Sequence, residues 1–124
     1  MTKIRLITWN INSVRARLNI IDHLLAEYKP DILCLQETKV QDHMFPKDVF
    51  DKHGLTHHAL AGQKSYHGVA TLSKLPLASS ERINWCDKGD ARHVGTEFEN
   101  GLKLHNFYVP AGGDVPDVAL NDKF

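Results

Sequence analysis

Hydrophobic and polar positions near the start of the chain predict two strands separated by a helix. From Ile4 to Asn12, apolar side chains occupy both faces of an extended segment. Apolar residues on both faces are typical of a strand in a sheet that is covered on both sides. A second apolar run, Ile32 to Leu35, follows Pro30 and has the length and composition of a buried strand.

The segment between the two strands has the spacing of an amphipathic helix. Its apolar positions recur at intervals of three and four residues, at Val14, Leu18, Ile21, Leu25 and Tyr28. Ser13 stands where it could cap this helix, and Pro30 would end it. Strand, helix and strand with short links form a βαβ unit, so the two strands should be parallel with a right-handed crossover. Their carboxyl ends then lie side by side, which brings Asn10 and Asn12 near Glu37.

The remainder of the chain predicts further strands and a hairpin. The dipeptide Asn100-Gly101 is a strong signal for a two-residue hairpin turn. We expect residues 63–68 to form an exposed polar loop and residues 74–91 to be mostly irregular. The other predicted elements are a helix at Lys47–His53 and strands at His57–Gly62, Val69–Ser73, Arg92–Glu99 and Leu102–Val109.

Polar side chains stand where the predicted strands end, which is where ligands bind in open α/β sheets. Glu37 follows the buried run, and Lys39 lies two residues further on. A carboxylate and a lysine in this place suggest a metal ion and a phosphate; the alternative is a strand that simply ends in solvent. Tyr108 is a third polar group at a strand end, although such a tyrosine is more often a half-buried strand aromatic. For Asn12, helix capping is an equal alternative to a direct role.

Composition limits the classes of protein that fit. The 124 residues carry no net charge, with 42% hydrophobic and 24% charged residues, so any nucleic-acid binding must come from local placement of charge. No apolar run approaches the length of a membrane-spanning helix. Cys34 and Cys86 have neither the spacing of a disulfide framework nor that of a zinc site, which favours a reducing, cytoplasmic location. No histidine has the spacing of a metal ligand.

Four segments carry motifs that are specific in combination. They are WNINSVRAR (residues 9–17), PDILCLQETK (30–39), GQKSYHGVATLSK (62–74) and NFYVPAGG (106–113). In order and spacing they resemble the N-terminal half of the exonuclease III-type apurinic/apyrimidinic endonucleases, in the endonuclease/exonuclease/phosphatase superfamily. The RAR and GQKSYHG segments argue against a lipid or inositol phosphatase of that superfamily.

The resemblance implies a fold and an activity. The fold is α/β, the N-terminal half of a four-layered α/β sandwich in which two packed mixed sheets have helices outside. The activity is hydrolysis of DNA phosphodiesters with Mg²⁺ or Mn²⁺ as cofactor. The implied partner is double-stranded DNA with abasic sites or 3′ ends, bound by a protein that is a monomer at full length, with no membrane involved.

The resemblance also implies roles for individual residues. Asn10 and Glu37 match positions of the metal site, and a carboxylate oxygen is a donor that Mg²⁺ prefers. Tyr108 matches the catalytic tyrosine beside the scissile phosphate. Three residues lie in segments that contact DNA in the family, where phosphate contact or stacking is expected: Lys39, Tyr66 and Arg92.

The main departure from the family concerns extent. Family members are roughly twice as long, and their second half supplies an Asp-x-Asn segment and a late Asp-His pair that orient and activate the attacking water. Nothing after Tyr108 resembles these segments. We therefore expect residues 1–124 to be the N-terminal part of one domain, inactive without the C-terminal half. The alternative is a non-catalytic DNA-binding module that keeps the half-fold.

Overall fold

The computed structural model describes residues 3–63, 67–82 and 92–108, which form two β-sheets and two α-helices. The strands are β1 (Leu6–Asn10), β2 (Ile32–Gln36), β3 (His57–Ala61), β4 (Val69–Ser73), β5 (Leu77–Arg82), β6 (His93–Phe98) and β7 (Lys103–Phe107). The helices are α1 (Leu18–Tyr28) and α2 (Asp48–Asp51), and single 3-10 turns lie at Arg15–Arg17 and Asp42–Met44. Within these ranges no helix has the length and apolar character needed to cross a membrane.

The first sheet is mixed and has the strand order β1-β2-β4-β3. β1 and β2 are parallel, in a register that runs from Leu6 opposite Ile32 to Asn10 opposite Gln36. The predicted parallel pairing is therefore confirmed. β4 pairs antiparallel with both β2 and β3. The second sheet has the order β5-β6-β7 and is antiparallel, with the predicted hairpin between β6 and β7.

β2 is central because its apolar residues are buried on both faces. On one face, Leu33 lies in a cluster with Ile21 of α1 and Phe50 of α2. On the other face, Ile32 lies in a cluster with Phe98 of the second sheet. The apolar run of β2 thus faces a helical layer on one side and a second sheet on the other. The fold predicted from the sequence, two packed sheets with helices outside, is confirmed.

β1 is an edge strand, and the prediction that both of its faces are covered is wrong for the described structure. Ile7 and Trp9 pack against the cluster that contains the helices. On the opposite face, Leu6 is 43% exposed and Thr8 is also exposed. The second sheet lies over the inner strands β2, β3 and β4, with β7 contacting β2, so this face of β1 stays open.

The start of α1 also differs from the prediction, since Ser13 does not cap the helix. Ser13 has a left-handed backbone (φ 84°), and α1 begins only at Leu18, after the 3-10 turn. The N–H groups of Ser13 and Val14 donate instead to the carbonyls of Glu37 (2.8 Å) and Thr38 (3.1 Å). Of the predicted apolar stripe, Val14, Ile21 and Leu25 are buried, whereas Leu18 and Tyr28 are exposed.

β5 is a strand where the sequence predicts irregular structure. Its residues, LASSER, lack the apolar alternation of a half-buried strand, and five of the six are exposed. Backbone pairing with β6 holds the segment extended, with an irregularity between Leu77 and Ser79. α2 is shorter than the predicted helix at Lys47–His53. The rest of the predicted irregular segment, residues 83–91, lies outside the described residues.

Backbone hydrogen bonds continue past the strand ends and join three loops. The N–H of Ile11 donates to the carbonyl of Gln36 (3.0 Å), and those of Thr38 and Lys39 donate to the carbonyls of Gly68 (3.1 Å) and His67 (2.9 Å). Residues 11–14, 36–39 and 67–68 are termed the loop layer below. Its non-glycine residues with positive φ are Asn12, Ser13, Glu37, Lys39 and His67. Such backbone strain concentrates at functional sites.

Gly68 is the tightest point of the loop layer. Its φ is +91°, and a Cβ at this position would lie 2.3 Å from Oγ1 of Thr38. Thr38 is itself only 1% exposed, so its side chain has little room to move away. The close approach of the two loops therefore requires glycine, both for the backbone angle and for space.

We expect Gly68→Ala to lower the free energy of unfolding more than Gly101→Ala does. Gly101 has a similar φ of +92°, but a Cβ there would meet no atom within 4 Å. Backbone strain of about 1–3 kcal/mol applies to both variants, whereas overpacking of a further 1–3 kcal/mol or so applies to Gly68→Ala alone. Urea unfolding of the two variants measures the difference. Equal decreases in the free energy of unfolding would contradict the prediction and show that the Thr38 side chain can move away from the added methyl group at no energetic cost.

A buried histidine lies in the second sheet. The Nε2 atom of His93 is 2.9 Å from Nδ1 of His105, and its ring stacks on Phe107 with centroids 3.9 Å apart. Burial, and next the charge of His105, lower the pKa of His93 below its ordinary 6.5, although the Glu81 carboxylate opposes this. The imidazole is therefore more easily protonated in the unfolded chain than in the folded one.

This difference predicts that the protein loses stability as the pH falls below 6.5, where the unfolded chain takes up a proton that folded His93 resists. His93→Gln should reduce the difference in unfolding free energy between about pH 7.5 and about pH 5.5, because the titrating group is gone. Urea unfolding at both pH values measures this. His23→Gln, on the exposed side of α1, is the matched control. An unchanged pH dependence in His93→Gln would contradict the prediction.

Candidate active site

The carboxylate of Glu37 and the phenol of Tyr108 meet where β2 and β7 end. Glu37 is the first residue after β2, and Tyr108 is the first residue after β7. The hydroxyl of Tyr108 donates to Oε1 of Glu37 at 3.2 Å. Both side chains are partly buried. Because the two residues belong to different sheets, their contact depends on how the sheets pack. The structure thus brings together two of the residues predicted from the sequence.

The environment of Tyr108 keeps its phenol protonated. Burial is the largest cause of a raised pKa, and the negative charge of Glu37 and the hydrogen bond to it act in the same direction. The positive charge of Arg92 opposes them but does not reverse the shift. At neutral pH, Tyr108 is therefore a hydrogen-bond donor that lies beside a carboxylate.

A pair of amide side chains stands directly behind this contact. Gln36 precedes Glu37, and Asn106 lies two residues before Tyr108. Nε2 of Gln36 donates to Oδ1 of Asn106 at 2.8 Å and to Oγ1 of Thr8 at 3.0 Å. This pair was not among the site residues predicted from the sequence. The available signal was the alternation of β7, which places Asn106 at an inward position where an apolar residue is usual.

Asn10 ends β1 next to Gln36, its partner in the parallel register. Partners in such a register point to the same face of a sheet. The exposed amide of Asn10 therefore lies on the same face as Gln36, which is the face that the second sheet covers over β2, β3 and β4. Asn12 does not cap the helix: its Oδ1 accepts a hydrogen bond from Nζ of Lys39 at 2.6 Å. The capping alternative is therefore wrong, and Asn12 holds the Lys39 ammonium at the exposed edge of the loop layer.

Arg92 and Tyr66 also belong to the DNA-binding prediction, together with Lys39. The carbonyl of Arg92 accepts the N–H of Tyr108 at 2.7 Å, which places Arg92 beside the site. The ring of His67, which has no role in the sequence analysis, lies 5.5 Å from the Tyr108 ring at an angle of 39°. Tyr66 lies outside the described residues. Its role, like those of Lys39 and Arg92 toward DNA, stays a prediction.

Arg17 makes a structural contact at the start of the helix. Its Nε donates to the carbonyl of Ile11 at 2.7 Å and so closes the link between β1 and the helix.

Oxygen donors for a metal ion are few but suitable. No group of three or more His, Cys, Asp or Glu side chains in the described ranges could hold an ion. Glu37 supplies one carboxylate, and Asn10 supplies an amide oxygen at the end of the adjacent strand. Mg²⁺ is commonly held by one or two carboxylates together with waters and substrate phosphate. The donors fit a partial site of that kind and do not fit a closed protein cage.

The fold agrees with comparisons to known proteins. The sequence matches the endonuclease/exonuclease/phosphatase family over residues 7–122. Exodeoxyribonuclease III of Haemophilus influenzae is 40% identical over 115 residues, which cover 87% of this chain and 42% of the relative.

Solved structures give the same result. An AP endonuclease from Archaeoglobus fulgidus has a TM-score of 0.82 and 34% identity, over 93% of this chain and 44% of that one. A 3′ phosphatase from Neisseria bound to a product DNA hairpin has a TM-score of 0.79 and 32% identity, over 89% and 43% of the two chains. The chain spans less than half the length of these relatives and corresponds to their N-terminal part. It belongs to the endonuclease/exonuclease/phosphatase family, among homologues named exodeoxyribonuclease III and AP endonuclease.

Proposed function

We propose that this chain carries one side of the active site of a DNA-repair nuclease that hydrolyses phosphodiesters at abasic sites and from 3′ ends. The observation that supports the proposal most is the hydrogen bond from Tyr108 to Glu37, 3.2 Å long, at the meeting point of two sheets. The contact joins a strong oxygen ligand to a protonated donor. Such a pair suits the hydrolysis of a phosphate ester. Its transition state needs a positive group to offset the developing negative charge and a hydrogen-bond donor to hold a phosphoryl oxygen.

Glu37, with Asn10, is the proposed holder of Mg²⁺ or Mn²⁺. When bound, the ion would polarise a phosphoryl oxygen and offset charge that develops in the transition state. Glu37 itself has a left-handed backbone (φ 54°). The direction of its side chain is therefore set by the loop layer rather than by the alternation of the strand. Its position is therefore set before any ligand binds, which limits the cost of reorganisation.

Tyr108 is the proposed donor to the scissile phosphate. Burial and the charge of Glu37 raise the pKa of its phenol, so the proton stays on the hydroxyl at neutral pH and can be shared with a phosphate oxygen. Lys39 and Arg92 are cations on the two flanks of the pair, one after β2 and one before β6. Their proposed role is contact with the phosphates of double-stranded DNA, which positions the strand without reading its sequence.

Glu37 accepts the hydrogen bond of Tyr108, and no group of three or more acidic, cysteine or histidine side chains that could hold a metal ion lies among the described residues. The proposal for this chain is therefore a metal- and phosphate-binding half-site. Cleavage would need further groups, and the relatives are long enough to supply them. The alternative function is a DNA-binding module that does not cut.

A chimaera tests the metal assignment. We would join this chain to the C-terminal part of the Haemophilus influenzae relative and measure Mg²⁺-dependent incision of an abasic duplex. Glu37→Gln should lower the rate by about 10²–10³, because a neutral amide is a poor ligand for Mg²⁺ and leaves transition-state charge uncompensated. Glu27→Gln, at an exposed position of α1, is the matched control and should retain full activity. Full activity in Glu37→Gln would refute the metal assignment.

In the same chimaera, Tyr108→Phe should lower incision by a similar or smaller factor than Glu37→Gln. The substitution removes one hydroxyl and leaves the carboxylate in place. Mn²⁺ affinity, measured by the loss of the free-ion EPR signal, should change little in Tyr108→Phe and fall in Glu37→Gln. A Tyr108→Phe chimaera that cuts at the wild-type rate would exclude a role for the phenol in catalysis.

The 124-residue chain alone should give no incision above an EDTA blank. The same assay on an abasic duplex measures this, with fluorescence anisotropy to follow binding. EDTA-sensitive incision by this chain would refute the half-site proposal. A chimaera that binds the duplex but does not cut it would favour the non-catalytic alternative.

A further inference from the structure

We infer that Asn106 is a positioning residue, which holds Tyr108 against Glu37 by anchoring β7 to the backbone of the first sheet. The inference rests on the proposed function insofar as it gives the Glu37–Tyr108 contact a catalytic purpose. Asn106 does not touch either member of that contact in the hydrogen bonds of the structure. It acts through the placement of the strand that carries Tyr108.

The side chain of Asn106 is inserted between two strands of the opposite sheet. It is 3% exposed. Its Nδ2 donates to the carbonyls of Leu35 (3.2 Å) and Ala70 (2.9 Å) and lies 3.4 Å from Oγ1 of Thr71. Leu35 and Ala70 are register partners in β2 and β4. One amide on β7 therefore contacts both central strands of the first sheet at once.

The amide oxygen of Asn106 is also hydrogen-bonded. Its Oδ1 accepts the hydrogen bond from Gln36 Nε2 at 2.8 Å. The cross-sheet pair Gln36–Asn106 thus stands one residue before Glu37 on β2 and two residues before Tyr108 on β7. A shift of β7 along β2 would break these hydrogen bonds and move the phenol relative to the carboxylate by the same distance.

The other contacts of this region are either confined to the second sheet or apolar. Within the second sheet, the N–H of Tyr108 donates to the carbonyl of Arg92 at 2.7 Å, which orients Tyr108 relative to β6 but not relative to the first sheet. Between the sheets, Tyr108 packs against the apolar cluster that contains Val69 and Val94, and a second cluster joins Ile32 to Phe98. Apolar contact is non-directional, whereas hydrogen bonds depend on distance and angle. The buried amide is therefore the contact that sets the offset of the two sheets at this end.

Stability alone cannot reveal such a role. Burying an amide has a desolvation cost that its hydrogen bonds offset only in part, so replacement by leucine can leave the free energy of unfolding little changed or alter it in either direction. The position of the phenol relative to the carboxylate is a separate observable. It can be followed in this chain without metal and without DNA.

The test uses NMR of the 124-residue chain labelled with [¹³Cζ]tyrosine, in which the Cζ shift of Tyr108 reports the hydrogen bond of its hydroxyl. Tyr108→Phe assigns the signal, and Glu37→Gln gives the shift expected when the carboxylate is removed. Asn106→Leu should move the Tyr108 signal away from its wild-type position, towards that in Glu37→Gln. Gln36→Met, which removes the amide of Gln36 at a less buried position, should move it in the same direction.

Thr96→Val is the matched control. Thr96 is 5% exposed on β6, and its hydroxyl has no hydrogen-bond partner among the described residues. The change removes a buried polar atom from the second sheet without touching the amide pair, and it should leave the Tyr108 signal in place. A folded Asn106→Leu chain with the wild-type Tyr108 signal would overturn the inference. If Asn106→Leu does not fold, Gln36→Met decides the question by the same criterion.

A second measurement separates this inference from the proposed function. Mn²⁺ affinity of the same variants should change little in Asn106→Leu and in Thr96→Val, as in Tyr108→Phe, because neither substitution removes an oxygen of Glu37 or Asn10. If the wild-type chain binds no Mn²⁺ but its Tyr108 signal responds to Asn106→Leu, the proposed metal site fails and the positioning role stands. If Mn²⁺ binds and the Tyr108 signal ignores Asn106→Leu, the positioning role fails alone.

Discussion

The parallel pairing of β1 with β2 is the constraint on which the rest of the structure depends. It brings two carboxyl strand ends to one edge, and its hydrogen bonds continue beyond the strands into residues 11–14 and 36–39. Because neighbouring loops pair the backbone groups there, Glu37 and Lys39 can adopt positive φ without leaving several buried N–H groups unpaired. The local backbone strain is tolerated because the loop that contains Glu37 and Lys39 continues directly from β2, which is buried on both faces.

Two kinds of contact have separate consequences in this fold. Apolar burial around Leu33 and Phe50 stabilises the helical layer on the first sheet, and its benefit depends mainly on area. Directional hydrogen bonds, such as those of Gln36 with Asn106, determine which atoms meet at the edge. A protein with only the first kind would be folded but would place Tyr108 loosely. The buried polar contacts therefore determine where the site residues lie relative to each other.

The elements that follow from a local sequence pattern could be predicted. The apolar run that precedes Glu37 predicts a buried strand, and Asn100-Gly101 predicts the hairpin that carries Tyr108; both are present. The strand β5 could not be predicted, because LASSER has no apolar alternation and is extended only through its pairing with β6. The failed Ser13 cap has a similar cause, since the N–H of Ser13 donates instead to the carbonyl of Glu37, which is distant in sequence. The contacts of Asn106 depend on how two sheets pack, which no local pattern encodes.

The site is divided between the two sheets, and this division couples ligand binding to their packing. Glu37 and Lys39 follow a strand of the first sheet, whereas Arg92 and Tyr108 flank strands of the second. A phosphate that contacts residues of both groups, as we propose for DNA, can bind fully only when the sheets are packed in their native offset. Its binding free energy is then added to the free energy of that packing. A ligand that contacts both Glu37 and Tyr108 would therefore contribute to holding the two sheets together.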